Sequence, residues 1–311
     1  MKNLKIIVAS AFLAIVVLFF SRASNDDALS VKPLITTSNF AIYDVIQHIG
    51  QDKIELINIL SFGVDPHSFE PTPKSIARLE KSRYFFYSGS VLEPWAEDLA
   101  TSVKAIDVSK YVTLKEFDEA DGDEDEEEHH HHHHGAYDPH YWLDIDNMKK
   151  IAELVTEKLS KVDPKNKHFF EKNKEVYIAK LVELDDLYKQ RLLNCKRDTI
   201  VVTHNAFSYL ADRYHFKVKS LTGLSTEAQP SATDVKRILK EIREKNIQVV
   251  FFENFENQRV ITTIANDADL EMIQSLQPLG NITGKELTLK LDYYDIMKNN
   301  LEKIAKAMQC N

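Results

Sequence analysis

Only two cysteines, Cys195 and Cys310, occur among the 311 residues. Neither belongs to a Cys-x-x-Cys pair, which excludes the usual thiol redox motif and a thiolate zinc site. A disulfide between them and a pair of free thiols both stay open. The His-Glu-x-x-His pattern of helix-borne metallopeptidases is missing as well. Basic charge is short: 39 Lys and Arg stand against 48 Asp and Glu, a formal net charge of -9, and no basic footprint offers itself to a nucleic acid. A long apolar span is lacking too, since the run from Ile6 to Phe20 falls short of the roughly 20 residues that cross a bilayer as a helix.

That run reads instead as the centre of a secretory signal. Lys2 and Lys5 precede it and Ser21-Arg22-Ala23 follow, giving basic, hydrophobic and small-residue regions in the order that export requires. Cleavage is expected after Ala23, so residues 1–23 form the signal peptide and the mature chain is periplasmic. No cysteine lies beside the cleavage point, which argues against a lipid anchor. The remaining length suits two domains.

One internal stretch, 116–136, departs from ordinary composition. Nine acids between Asp118 and Glu128 give way to His129, His130, His131, His132, His133 and His134. Such a run cannot form a packed core, and neutral imidazole is the commonest protein ligand for zinc and its neighbours. The expectation is a solvated segment that gathers metal with low affinity. A purification tag belongs at a terminus, and this run is internal.

Elsewhere short apolar runs alternate with amphipathic stretches. Strands are expected at 33–37, 54–60, 83–89, 199–203, 217–221 and 248–254, with helices at 40–49, 73–80, 94–100, 206–214, 233–245, 258–267 and 293–308. Strands alternating with helices argue for βαβ units and parallel sheets, an α/β fold. Ser231 or Thr233 suits the cap of the 233–245 helix. From Asn166 to Leu193, Phe170, Tyr177, Leu181, Leu184, Tyr188 and Leu192 recur at helical spacing with no Pro or Gly between, which predicts one long helix. Placed between two βα regions, it reads as a strut. The expected organisation is an N-terminal lobe over 24–165, a linker helix over 166–194 and a C-terminal lobe over 195–311.

Of the six histidines outside the tract, His48 and His168 fall within amphipathic helices and His215 follows a helix end, where solvated or core roles are expected. The other three, His67, His140 and His204, stand in turns at element boundaries, drawn from both halves of the chain. Two of them close the same triplet, Asp65-Pro66-His67 and Asp138-Pro139-His140. The proline restricts the backbone and so the direction of the imidazole. The aspartate can accept the proton of one ring nitrogen, leaving the lone pair of the other for a metal. Glu70 and Glu253 are further candidates for that acceptor role. The three histidines are the expected ligands of a single ion, and affinity is expected to fall as protons compete below about pH 6.5.

The segments GVDPHSFEPTP, DPHYWLD and VVTHNAFSYLADRY, with PSA, VVFFEN and QPLG further on, resemble the metal-binding components of ABC importers, the zinc-uptake class of cluster A-I solute-binding proteins. The resemblance covers nearly all of the mature chain. It implies two βα lobes joined by one long rigid helix, the metal in the cleft between them, small lobe tilts rather than wide closure, and delivery of zinc to a membrane permease by a protein that catalyses nothing and works as a monomer. Three imidazoles favour zinc over manganese, for which relatives tend to replace the third histidine by glutamate. The fourth ligand stays open between water, Asp292 and a histidine of the tract. Other readings that the residues admit are an importer subunit for manganese or another divalent metal, a secreted zinc hydrolase, and an adhesin-like surface protein.

Overall fold

The computed structural model describes residues 31–99, 103–116, 137–224, 230–253, 262, 265–267, 270 and 272–311. The signal peptide expected over 1–23 and the histidines 129–134 lie outside the described residues, as does most of the helix expected over 258–267, of which residues 262 and 265–267 are helical. Pro33–Asn311 forms one compact unit.

Within that unit the chain runs β1 (Leu34–Thr37), α1 (Phe40–Gly50), β2 (Glu55–Asn58), α2 (Pro73–Leu79), β3 (Tyr84–Tyr87), α3 (Trp95–Leu99) and β4 (Ala105–Asp107). It continues through α4 (Ile145–Val162), α5 (Lys167–Arg191), β5 (Thr199–His204), α6 (Ser208–Tyr214), β6 (Lys217–Thr222), α7 (Ala232–Glu244), β7 (Val249–Glu253), β8 (Met272–Leu276), α8 (Gly284–Thr288) and α9 (Tyr293–Ala307). Two four-stranded sheets result, ordered β2-β1-β3-β4 and β6-β5-β7-β8, and every pairing in them is parallel. Strands covered by helices on both faces need apolar residues on both, which is why β5 and β7 read as continuous runs rather than alternating ones. The short β4, together with β8 and α8, carries too little pattern to be foreseen; the two strands find their places by pairing with β3 and β7, and α8 is started by a Thr283–Glu286 capping box.

The strut is α5, 25 residues and about 37 Å long. Phe170, Tyr177, Leu181, Leu184 and Tyr188 form its buried face, against α1, α4 and α9. Burial of Phe170, Leu181 and Leu184 contributes about 1.5–3 kcal/mol apiece. Leu192, expected at the end of the stripe, caps the helix instead. Ser231 is the cap of α7, with Asp234 closing a reciprocal capping box. The two cysteines form a disulfide, which ties the stretch after α5 to the stretch after α9.

Contacts between chain-distant segments hold the two sheets in register. Arg213 on α6 reaches Asp185 on α5 and Asp146 at the start of α4, both at 2.8 Å. About two turns back along α5, Asp44 of α1 accepts from the Tyr177 hydroxyl at 2.9 Å and from the Tyr293 backbone N–H at 3.3 Å. The first N–H groups of α1 lack intrahelical acceptors. Asn39 caps Ala41 and Ile42 with its side chain, while the carbonyls of Gly280 and Leu279 accept from Phe40 and Ala41 at 2.9 and 3.2 Å. Leu279 takes φ +64° to make this crossing, a left-handed conformation that costs a side-chain-bearing residue on the order of 1 kcal/mol.

Candidate metal centre

In open α/β sheets, ligands collect beyond the carboxyl ends of strands where the strand order reverses. His204 is the last residue of β5 and Glu253 the last of β7. The β5–β7 register pairs Val201 with Val250 and Val202 with Phe251; carried two residues on, it sets His204 beside Glu253. The His204 Nδ1 faces the Glu253 carboxylate in a short ion pair. Both groups are buried, so Nε2 is the nitrogen of His204 turned to the cleft.

His140 arrives differently. It does not follow a parallel strand; it precedes the turn into α4, on a segment whose Tyr137 bridges Glu116 in antiparallel fashion. Asp138 Oδ1 takes the His140 backbone N–H at 2.9 Å and faces its Nδ1 at 2.8 Å. That is the tautomer-setting contact expected from the triplet, and it again leaves Nε2 forward.

The companion triplet shares the backbone half of this arrangement. Asp65 Oδ1 accepts from the His67 backbone N–H at 2.9 Å, as Asp138 does from His140, closing one turn of 3-10 helix over Pro66–Ser68. At His67 that turn sets the direction of the imidazole. That turn is in turn held by the segment 278–282. Asn281 Nδ2 donates to the carbonyls of Ser61 and Val64 at 2.8 and 2.7 Å, and Gly63 N–H donates to Ile282 at 2.9 Å. A Cβ on Gly280 would stand 3.0 Å from Pro66 Cγ and 3.4 Å from Trp142 Cζ2, so glycine permits the close approach.

These three paths bring the imidazoles together. His140 Nε2 lies 3.3 Å from His67 Nε2 and 3.3 Å from His204 Nε2, and all three ligand atoms fall within 4.8 Å of one another. Zinc–nitrogen bonds of about 2.0–2.1 Å at tetrahedral angles require nitrogens about 3.3–3.4 Å apart, so His140 stands at the edge length of a zinc tetrahedron from each of its two partners. Burial, then the neighbouring His140 and His204, hold the His67 pKa down to about 2. Burial disfavours the charged form of this imidazole first and its two neighbours add to that, so proton competition at His67 moves below the ordinary pH 6.5. Burial pushes the Glu253 carboxyl well above the usual carboxylate range, opposed by His140 and reinforced by Asp65.

The remaining candidates sit elsewhere. Asp292, one option for the fourth ligand, caps α9 and lies 3.5 Å from His48 Nε2 and 3.6 Å from Lys180; its position in the sequence was close to a ligand pattern, but its carboxylate belongs to the α1–α5–α9 junction. Glu70 is exposed and is not among the groups that hold the imidazoles. His48 is kept charged: burial works against it, yet Asp292 and Asp44 raise its pKa to about 10. His168 is exposed, and His215 ends α6 at φ +60°. Sequence reasoning missed Ser208, whose hydroxyl donates to Asp138 Oδ2, and Tyr209, whose hydroxyl donates to the Asp138 carbonyl at 2.9 Å. Both stand in the VVTHNAFSYLADRY segment, four and five residues past His204.

Residues 35–307 match the family model described as zinc-uptake complex component A, periplasmic. The high-affinity zinc uptake system protein ZnuA of Bacillus subtilis (strain 168) is 33% identical over 295 residues, 93% of this chain and 91% of that protein. The manganese ABC transporter substrate-binding lipoprotein PsaA of Streptococcus pneumoniae is 29% identical over 312 residues, 97% of this chain and 98% of its own. Among solved structures, the Zn(II)-bound ZnuA-like domain of Streptococcus pneumoniae AdcA superposes with a TM-score of 0.73 at 27% identity, covering 89% of this chain and 99% of that domain.

Proposed function

The chain belongs to the ZnuA family of periplasmic zinc-uptake components, and from that premise we propose that His67, His140 and His204 capture one zinc ion outside the cytoplasm for an ABC transporter. The observation that carries this reading is the spacing of three Nε2 atoms, 3.3 Å from His140 to each of the others. Neutral imidazole, closed-shell zinc and four-coordinate geometry suit one another. With three protein ligands one position remains, for a water or for a histidine of the 129–134 run, which we assign a secondary, lower-affinity gathering role.

The cargo is zinc rather than manganese because the donors are all nitrogen, and manganese favours carboxylate oxygen. Asp138 and Glu253 each face an imidazole Nδ1, and Asp65 holds the backbone turn of His67. A hydrolase would need one of them as a base beside a metal-bound water, so this arrangement supports binding and release without turnover. The membrane permease of the transporter is the receiving partner. We further propose that the protein acts as a monomer, that export removes residues 1–23, and that the lobes divide at 24–165 and 195–311 about the linker helix.

Elemental analysis of the purified mature protein tests the reading. Wild type is expected to hold one zinc per chain after metal-limited dialysis, and His204→Ala to lose it. A wild type that retained manganese in preference to zinc would overturn the cargo assignment, and a His204→Ala protein with undiminished affinity would overturn the site.

A further inference from the structure

Asp138 orients His140, and Asp138 is itself held from the far side of the cleft. It is 1% exposed, and each of its polar atoms is engaged. Oδ1 serves His140, as described, and the backbone N–H donates to the Lys115 carbonyl at 3.0 Å. The other two atoms are taken by the first two residues of α6: Oδ2 accepts from Ser208 Oγ, and the carbonyl accepts from the Tyr209 hydroxyl at 2.9 Å. Tyr209 completes the clasp by accepting the Lys115 N–H at 2.8 Å. Because α6 follows β5 after three residues, the element that grips Asp138 is the one that carries His204.

A carboxylate bonded through one oxygen can still turn about its terminal torsion, which is broad and two-fold. Bonded through both, it presents Oδ1 to the imidazole in one direction only. Loss of the Ser208 hydroxyl would leave Oδ2 facing a cavity of about 540 Å³, behind the metal cleft and lined by Lys115, Asp138, Asn205 and Ser208 rather than by the three histidines, where water could take it in several orientations.

We infer that Ser208 is a positioning residue for zinc capture: acting through Asp138, it sets the His140 imidazole from the opposite lobe without touching the ion. This rests on the zinc reading above and deepens it. The contact joins ligand geometry to lobe apposition. A lobe displacement that parts Ser208 from Asp138 loosens His140, and so weakens the site at the moment of delivery.

The test uses the mature protein as wild type, Ser208→Ala, Ser208→Thr, Asp138→Asn and the double variant Ser208→Ala with Asp138→Asn. Three quantities are read: zinc Kd by chelator competition, the visible spectrum of the cobalt(II) form, and the thermal midpoint without metal. Groups one bond behind a ligand change metal affinity by about 10–100-fold, and Ser208 stands one step further back. Ser208→Ala is therefore expected to raise Kd about tenfold and to alter the cobalt bands, with little change in the thermal midpoint. Ser208→Thr, which keeps the hydroxyl, is expected within about twofold of wild type. In the Asp138→Asn background, where the amide keeps an oxygen for His140 but its nitrogen cannot accept from Ser208, Ser208→Ala should cost less than it does in wild type.

An unchanged Kd and cobalt spectrum in Ser208→Ala overturns the inference, as does an undiminished penalty in the Asp138→Asn background. A wild type without zinc affinity overturns the zinc reading and this inference together. Tight binding by both wild type and Ser208→Ala overturns the inference alone.

Discussion

Asn281→Ala probes whether the 278–282 segment holds His67 in place. The side chain is fully buried and makes three hydrogen bonds: Nδ2 to Ser61 and Val64, and Oδ1 from the Ile282 N–H at 2.9 Å. At about 1 kcal/mol net for each bond, truncation should cost about 3 kcal/mol of stability. At about 2–4 °C per kcal/mol for a chain of this size, the thermal midpoint should fall by about 6–12 °C. Two of those bonds, about 2 kcal/mol, act on the loop that leads into His67. If the loop owes its order to them alone, zinc affinity falls by at most about 30-fold. Thermal unfolding and chelator competition on the same protein measure the two effects. Asn281→Asp keeps the acceptor for Ile282 but loses both donors, and should match or exceed the loss of affinity. Stability within 1 kcal/mol of wild type would refute the packing argument. Destabilisation with unchanged affinity would refute the link from the segment to His67.

Two further outcomes are expected. Replacing both Cys195 and Cys310 by serine opens a bridge that closes a sequence separation of 115 residues; the chain-entropy model puts the loss at about 5 kcal/mol. Denaturant unfolding reads it directly, and an unshifted midpoint would mean that the bridge does not restrain the unfolded chain. His48 gives a pH signature: its folded pKa of about 10 lies above the ordinary 6.5, so the proton is bound more tightly in the folded state. The stability it adds is full below about 6.5, declines as pH rises and is gone above about 10. The difference between wild type and His48→Gln should follow that course, and a difference independent of pH would exclude the charged His48–Asp292 contact as its source.

Local chemistry made much of this protein legible in its sequence. The stripe from Phe170 to Tyr188 declared a helix because 3.6-residue periodicity needs no partner to be visible, and the apolar runs of β5 and β7 declared buried parallel strands for a similar reason. The Asp-Pro-His triplets and the boundary position of His204 marked three imidazoles as a set, since proline and turn geometry act within a few residues. Glu253 could be suspected, standing at the end of a strand, but its pairing with His204 follows from the β5–β7 register, which joins residues some fifty positions apart. Tertiary structure alone decided the rest. Asp65 and Asp138 occupy identical triplets and each accepts the backbone N–H of its histidine, but Asp138 also faces the His140 ring and is held there by Ser208 and Tyr209 of the far lobe. Asp292 pairs with His48 and Lys180 at the α1–α5–α9 junction, and residues 278–282, visible in the sequence only through the QPLG segment, became the brace behind His67. Short-range preferences are written residue by residue; which distant group arrives to satisfy a buried polar atom is settled only when the chain has packed.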